Sequence, residues 1–212
     1  MRKYLAEFIG TFILVFCGTG AIITDQQTNG AVSHTGVSLT WGLTVMALIY
    51  SIGNISGCHI NPAVSIAFTV AGRFKTRLLP GYIISQIAGA LLASMTLKLF
   101  FPASVLLGAT LPAGTEMQSF LLEGFLTFFL MFVILNLAHG SKEQGQIAGI
   151  AIGAVVGLEA LFAGPTCGAS MNPARSIAPA IISGHTQHLW IYIIAPVLGT
   201  VAAVPVWKYL RS

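Results

Sequence analysis

Six apolar stretches, each about as long as a membrane-spanning helix, restrict the fold of this chain more than any other feature. A helix needs about 20 apolar residues to cross the hydrocarbon core of a bilayer. The six stretches cover residues 4–24, 35–55, 78–100, 119–139, 146–163 and 189–210. Only 8% of the 212 residues are charged, whereas soluble domains carry about 25%. The sequence therefore predicts an all-α integral membrane protein whose partner is the lipid bilayer.

The positive charges predict how the six spans are oriented. With six crossings, eight of the ten lysines and arginines fall on one side: Arg2, Lys3, Arg73, Lys75, Arg77, Lys142, Lys208 and Arg211. The connections on the other side, 25–34, 101–118 and the short stretch after Gly184, contain no lysine or arginine. The positive-inside rule then places both termini in the cytoplasm, and the short loops favour a prokaryotic plasma (inner) membrane. Lys98 is an exception, and we expect its side chain to snorkel outward.

Composition and motifs exclude several classes of function. The positive charges form no basic patch interleaved with aromatic residues, so nucleic acid is not an expected partner. The three cysteines, Cys17, Cys58 and Cys167, show no metal-binding spacing, so we expect no disulfide framework, no metal and no cofactor. The chain shows no pairing of a nucleophile with a general base, so we predict no enzyme and no catalytic residue. The first apolar run is interpreted as a span rather than a signal peptide, because it contains Glu7 and five spans follow.

The two halves of the chain are related as a repeat. Glu7 in LAEFIGTF (5–12) matches Glu123 in LLEGFLTF (121–128). At an offset of 111 residues the matched pairs are Gly42 and Gly153, Gly53 and Gly164, Gly57 and Gly168, and Asn61 and Asn172. The halves, about 1–107 and 113–212, each hold three spans, and this odd number makes them enter the membrane from opposite sides. The sequence predicts one transmembrane domain, 1–212, built as an inverted repeat.

Two apolar pieces, 61–72 and 172–184, are too short to span a bilayer. Each begins with Asn-Pro, and Asn is a favoured N-cap while Pro is favoured in the first helical turn. We therefore expect two half-helices that start at the bilayer centre and direct the positive ends of their dipoles there. The segments before them, 54–60 and 164–170, look irregular. Irregular backbone at membrane depth is buried in protein or lines a cavity, so these segments predict an aqueous path.

The residues of these segments predict a pore wall made of backbone carbonyl groups, with carboxylates behind it. The loop residues concerned are Cys58, His59, Ile60, Cys167 and Gly168. Glu7 and Glu123 are costly inside spans, and we expect them to accept N–H groups from the two loops. The alternative for both is a protonated or snorkelling carboxyl group.

These motifs together resemble those of a known family. The sequence contains AEFIGT (6–11), ISGCHINPAVS (55–65) and GASMNPARS (168–176), so that Asn-Pro-Ala occurs twice and an arginine follows the second copy. In these motifs the chain resembles the aquaporin family of major intrinsic proteins over nearly its whole length. It is most similar to the nodulin-26-like and aquaglyceroporin-type group. The resemblance implies six transmembrane helices, two re-entrant half-helices and a homotetramer with one pore in each protomer.

The resemblance also implies a selectivity filter and a central constriction. The filter positions of the family fall on Trp41, Ala160, Ala169 and Arg175. The central constriction falls on Asn61, Pro62, Ala63, Asn172, Pro173 and Ala174. Arg175 would line the narrowest part of the pore, donate to passing oxygen atoms and repel cations. The alternative is an arginine that only anchors a loop. The resemblance also makes His59 a loop residue whose carbonyl group faces the pore, rather than a catalytic residue, and Cys58, at the repeat position of Ala169, a thiol adjacent to the pore. Glu159, beside a filter position, is expected to point away from the pore as a buried structural carboxylate.

The implied filter is wide and amphipathic. Water-selective members of the family carry a histidine where this chain has Ala160, and glycerol facilitators carry an aspartate where it has Ser176. The expected function is a passive channel for water and small uncharged solutes, such as glycerol-like polyols and neutral arsenite or boric acid, with ions and protons excluded. The alternatives are a strictly water-selective channel, a secondary transporter built from inverted repeats, and a structural membrane protein with a closed pore.

Overall fold

A computed structural model describes residues 1–138 and 142–211 of the chain. Within these residues the backbone forms α-helices and one short 3₁₀-helix, Thr76–Leu78, and no strand. The α-helices are α1 (Arg2–Gln27), α2 (Ser33–Ser56), α3 (Pro62–Val70), α4 (Leu79–Phe100), α5 (Glu116–Ala138), α6 (Lys142–Cys167), α7 (Pro173–Ser183) and α8 (Leu189–Tyr209). The predicted all-α fold is confirmed.

Six of these helices, α1, α2, α4, α5, α6 and α8, are long and apolar enough to cross a membrane. Large apolar side chains are exposed on their outer surfaces, and Leu99 and Phe162 are 77% and 68% exposed. The carboxylates of Glu7 and Glu123, in contrast, are fully buried. This distribution is that of a protein whose solvent is lipid, where apolar groups face outward and polar groups find partners inside. The predicted integral membrane protein is confirmed.

Helix α6 is longer than the sequence predicted. We expected a span over 146–163 followed by irregular backbone, but the helix continues through Pro165 to Cys167. Because proline has no N–H, the carbonyl group of Leu161, four residues earlier, lacks its helical donor. The Nε2 atom of His34 on α2 donates to this carbonyl oxygen at 2.8 Å. A contact from another helix therefore satisfies the acceptor that the proline leaves free. The predicted end of the fourth span, His139, lies outside the described residues.

Close helix contacts in both halves depend on glycine. Helices α2 and α6 meet at Gly42 and Gly153, where a Cβ atom on either residue would lie 2.6 Å from the carbonyl oxygen of the other. Gly89 of α4 and Gly199 of α8 make corresponding close contacts with the backbones of α1 and α5. Any side chain at these positions would push the helices apart, so the small residues set the interhelical distances. The paired contacts agree with the predicted inverted repeat.

Helices α3 and α7 are the two half-helices. They contain 9 and 11 residues, or about 14 and 17 Å at about 1.5 Å per residue, which is near half of a ~30 Å hydrocarbon core. Both pack against α4 and α8, and they also contact each other. The predicted pair of re-entrant helices is confirmed, and their contact brings two helix N-termini to the middle of the fold.

Lys98 lies near the end of α4, where we expected its side chain to snorkel outward. Its Nζ atom donates to the carbonyl oxygens of Pro102 at 3.2 Å and Ser104 at 3.3 Å. Since α4 ends at Phe100, the side chain reaches past the end of the helix, and its ammonium group binds the turn that follows.

Candidate functional site

The two half-helices begin with the same local structure. Asn61 and Asn172 both have extended backbone conformations, and each caps its helix through its own side chain. The Oδ1 atom of Asn61 accepts from the N–H of Ala63 at 2.9 Å, and that of Asn172 accepts from the N–H of Ala174 at 3.0 Å. Proline occupies the first helical position after each cap. The Asn-Pro-Ala sequence therefore folds as a self-capped helix start, as N-cap preferences predict.

The two caps also hold the two halves together. The Nδ2 atom of Asn61 donates to the carbonyl oxygen of Met171 at 2.7 Å, and the Nδ2 atom of Asn172 donates to that of Ile60 at 2.9 Å. Each amide therefore accepts from its own helix and donates to the opposite loop. Because an amide NH₂ group has two N–H donors, one donor on each asparagine is not used by these bonds.

The loops before the half-helices share an unusual backbone. The residues with positive φ are Gly57, Cys58 and Ile60 before α3, and Gly168, Ala169 and Met171 before α7. These six positions match pairwise at the offset of 111 residues. A non-glycine residue in this region costs about 1–3 kcal/mol, so both loops are strained in the same way. Such strain persists only where surrounding contacts hold the backbone in place.

Two buried carboxylates make those contacts. Glu7 accepts from the backbone N–H groups of His59 at 2.9 Å and Ile60 at 2.6 Å. Glu123 accepts from the N–H groups of Ser170 at 2.7 Å and Met171 at 2.8 Å. In each case the two oxygens of one carboxylate bind two successive N–H groups, so the carboxylate holds the strained loop from behind.

A continuous cavity runs past both loops and both half-helix starts. Its volume is about 170 Å³. Its wall includes loop residues 57–61 and 169–172 together with apolar side chains from four of the spanning helices and from α3. The larger apolar side chains of these helices are Leu14, Trp41, Val45, Ile49, Val64, Phe68, Leu130, Ile134, Ile152 and Val156. The wall thus combines a line of polar backbone groups from the two loops with side chains that are mostly apolar.

All four predicted filter residues, Trp41, Ala160, Ala169 and Arg175, line this cavity. The guanidinium carbon of Arg175 lies 4.9 Å from the centroid of the Trp41 ring, within the range of a cation–π contact. The side chain of Arg175 is buried, and its Nη1 atom donates to the carbonyl oxygen of Gly108 at 2.9 Å. The arginine is therefore held between an aromatic ring and a loop carbonyl group while it lines the cavity.

The central motifs contribute their asparagines to the cavity wall. Asn61 and Asn172 line it, whereas the prolines and alanines that follow are buried in the helix starts behind them: Pro62, Ala63, Pro173 and Ala174. Among the described residues, these four do not form part of the wall.

The other predicted residues divide into those at the wall and those behind it. Cys58, His59 and Ile60 line the cavity. Cys167 and Gly168, expected to contribute carbonyl groups, do not belong to the described wall, because α6 continues to Cys167 and buries it. Glu159 is also buried away from the wall, and its Oε2 atom has no hydrogen-bond partner among the described residues.

The side chain of His59 is part of an aromatic cluster. Its ring stacks on that of Phe68 with centroids 4.8 Å apart, and it contacts the rings of Phe74 and Tyr82 at 4.8 and 5.1 Å. Its Nδ1 atom lies 3.1 Å from the hydroxyl oxygen of Ser65. These contacts make His59 a packed residue of the loop that precedes α3.

Comparison with known proteins adds to this geometry. Residues 1–207 match the family model described as "Major intrinsic protein". The chain is 46% identical over 210 residues to aquaporin NIP1-1 of Zea mays, an alignment that covers 99% of this chain and 74% of the maize protein. It is 41% identical over 212 residues to nodulin-26 of Glycine max, covering 100% of this chain and 78% of that protein.

The chain belongs to the major intrinsic protein family. Its fold is also similar to the X-ray structure of the aquaglyceroporin from Plasmodium falciparum, with a TM-score of 0.86, 25% identity, and coverage of 99% of this chain and 96% of that one. The predicted resemblance and the predicted class of function, a membrane channel for water and small neutral solutes, are confirmed. The relatives are channels and not enzymes.

Sequence reasoning missed the contribution of the long connection between α4 and α5 in this family member. Gly108, in the left-handed conformation, provides the carbonyl group that binds Arg175. The hydroxyl group of Thr110 donates to the hydroxyl oxygen of Ser176 at 2.7 Å, and the hydroxyl oxygens of Ser176 and Ser170 lie 2.6 Å apart. The signal in the sequence was the apolar run VLLGATLP (105–112), which is unusual for an exposed loop.

Proposed function

We propose that this family member is a passive channel that admits water and small uncharged solutes with hydroxyl groups, namely glycerol-like polyols and neutral arsenite or boric acid. One observation carries the proposal: the guanidinium group of Arg175 and the ring of Trp41 are in contact at a cavity wall that also contains the methyl groups of Ala160 and Ala169. A hydroxylated solute can direct oxygen atoms to Arg175 and carbon atoms to the aromatic face.

The side chains of the proposed filter support a solute larger than water. Two of the four proposed filter residues are alanines, so the width beside Arg175 is limited mainly by the ring of Trp41. Replacing the imidazole found at the Ala160 position in water-selective members by a methyl group removes a bulky polar wall.

Exclusion of ions and protons follows from three positive elements. Arg175 lines the cavity, and the N-termini of α3 and α7 meet there through their asparagine caps. A cation that leaves bulk water would face these charges and dipoles in a region of low dielectric constant. The remaining amide N–H groups of Asn61 and Asn172 are donors for a solute oxygen. An arginine and the positive ends of half-helices are the established explanation for ion exclusion in aquaporin-type pores.

The proposal includes topology and assembly. Both termini lie in the cytoplasm by the positive-inside rule, the membrane is a plasma (inner) membrane, and the chain forms a homotetramer with one pore in each protomer, as the family habit suggests. The whole chain, 1–212, forms one channel domain with halves of about 1–107 and 113–212. The matched positive-φ residues of the two loops support this division. No catalytic step is part of the proposal.

The test measures the permeability of liposomes that contain the purified protein, by stopped-flow light scattering. An osmotic gradient reports water flow, and gradients of glycerol and neutral arsenite report solute entry. We expect fast water flow and fast glycerol entry. In Ala160→His, glycerol permeability should fall at least about tenfold while water flow persists, because one added bulky group in a narrow site is worth about 1–3 kcal/mol. Ala160→Gly is the matched control and should keep both permeabilities.

Each alternative function gives a different result in the same assay. Fast water flow without glycerol entry in the unmodified protein would indicate a strictly water-selective channel. Glycerol entry that saturates at low concentration, or that follows an ion gradient, would indicate a secondary transporter. Liposomes with no added permeability would indicate a closed pore.

A further inference from the structure

Gly18 of α1 lies against the tip of the Trp41 side chain. A Cβ atom built on Gly18 would overlap with the Cη2, Cζ2 and Cζ3 atoms of Trp41. Its distances to these atoms would be well below 3.0 Å, and real Cβ atoms essentially never come that close to another heavy atom. All three atoms belong to the six-membered part of the indole ring, the part farthest from the backbone of α2. The ring tip therefore occupies the space that a side chain at position 18 would fill.

The same ring is held on its face by Arg175. The guanidinium carbon lies 4.9 Å from the ring centroid, so one surface of the indole contacts the arginine while its tip contacts α1. Leu14, one helical turn before Gly18, lines the cavity, which shows that this face of α1 borders the pore. Trp41 is buried and lines the cavity as well. The position of its ring between α1 and Arg175 determines how much of the pore it occupies.

We propose that Gly18 is a specificity-determining residue: the absence of a side chain there forms a recess that keeps the Trp41 ring out of the pore and sets the filter width. The inference rests on the filter proposed above and extends it to a residue on α1. An indole is rigid and moves as a unit about two side-chain torsions. Helix α1 cannot easily move away from the Trp41 ring, because the close contact at Gly89 packs the backbone of α1 against α4. A methyl group at position 18 must therefore tilt the ring, and the cavity is the open space beside it.

The test compares two glycine-to-alanine substitutions on the same helix. In Gly18→Ala we expect glycerol permeability to fall about tenfold, equal to ~1.4 kcal/mol in barrier height and within the usual cost of overpacking; water permeability should fall less. Gly20→Ala is the matched control, since its Cβ atom would meet Leu97 at 3.4 Å, an ordinary contact. It should leave both permeabilities unchanged.

A second substitution tests the mechanism. Trp41→Phe removes the far edge of the ring, so Gly18→Ala/Trp41→Phe should recover glycerol permeability to within about twofold of Trp41→Phe alone. This recovery also shows that Gly18→Ala does not act by misfolding. The position of the ring is measured by fluorescence in a Trp190→Phe/Trp207→Phe background, in which Trp41 is the remaining tryptophan. Gly18→Ala should shift the Trp41 emission to longer wavelength and increase its quenching by acrylamide, because the ring moves toward the aqueous path.

The outcomes separate this inference from the proposed solute. If Gly18→Ala matches Gly20→Ala in permeability and in Trp41 emission, the inference is wrong. It is also wrong if the emission shifts while neither permeability changes, because the ring then does not set the width. If the unmodified protein admits water and no glycerol, the proposed solute range fails. Gly18 is then judged by water permeability alone: a decrease in Gly18→Ala that Trp41→Phe restores supports the inference, and no decrease overturns it.

Discussion

Replacing Glu123 by glutamine tests how the strained loop before α7 is held at the pore. The two carboxylate oxygens of Glu123 accept from the backbone N–H groups of Ser170 at 2.7 Å and Met171 at 2.8 Å. Glutamine has the same shape but only one side-chain oxygen, so it can accept from one N–H group. Its NH₂ group would face the other N–H, leaving a buried donor without an acceptor.

The expected magnitude follows from the balance between these bonds and the loop strain. Two hydrogen bonds to a charged group contribute about 3–6 kcal/mol together, at about 1.5–3 each. The left-handed conformations of Ala169 and Met171 cost about 2–6 kcal/mol together, at about 1–3 each. Since the two terms are of similar size, the loop depends on the carboxylate. Glutamine keeps one neutral hydrogen bond and loses the remaining stabilisation by the two charged hydrogen bonds. This loss lowers the free energy of unfolding by roughly 2–5 kcal/mol.

The assay is thermal unfolding of the purified protein in detergent, together with permeability in liposomes. A loss of 2–5 kcal/mol corresponds to a fall in Tm of roughly 4–20 °C for a chain of this length. The control is Glu116→Gln on the same helix, where the carboxylate is about half exposed and pairs with His188 at 2.8 Å. A surface pair of this kind contributes at most about 1 kcal/mol. Equal and small shifts in Tm for the two variants, with unchanged glycerol permeability, would refute the role given to Glu123.

Two further predictions concern single side chains. Because Cys58 lines the cavity, mercuric chloride should block water flow in the unmodified protein and in Cys17→Ser but not in Cys58→Ser; block that persists in Cys58→Ser would place the reactive thiol elsewhere. Because His34 supplies the donor for the carbonyl group left free by Pro165, His34→Ala should lower Tm by about 1–6 °C, the effect of one hydrogen bond of about 0.5–1.5 kcal/mol. The exposed His185 is the control, and equal Tm values for His34→Ala and His185→Ala would contradict this contact.

The parts of the fold that could be predicted are those that the solvent or the local backbone determines. A bilayer requires helices of a certain length, so the spans are visible as apolar runs. The half-helix starts are visible because Asn61 and Asn172 cap their own helices through contacts only two residues away. The carboxylates behind the loops could be anticipated because Glu7 and Glu123 would otherwise be unpaired charges inside spans.

The parts that could not be predicted depend on contacts between distant segments. Pro165 leaves the carbonyl group of Leu161 without its helical donor, and the donor that replaces it, His34, comes from a helix distant in sequence. The support of Arg175 by Gly108 depends on a connection with no helical or strand periodicity, so no pattern indicated where its carbonyl group points. The recess at Gly18 could not be predicted from the sequence either, because a glycine can occur in an apolar helix for many different structural reasons.

The repeat explains why the proposed filter occurs at one end of the pore. At the offset of 111 residues, the four filter residues correspond to Ile152, Ile49, Cys58 and Val64, in the order Trp41, Ala160, Ala169 and Arg175. These four also line the cavity, so the fold builds the same ring of positions twice. The second ring offers no charge and no aromatic face, and valine stands where the arginine would be. The backbone symmetry places both half-helices. In the proposed function, the four side-chain differences confine recognition of a solute's oxygen and carbon atoms to the ring that contains Arg175. In this proposal, a solute that passes this ring next meets the two central asparagines and the loop carbonyl groups. It then meets a mostly apolar part of the wall that also contains His59 and Phe68, where weak binding favours release.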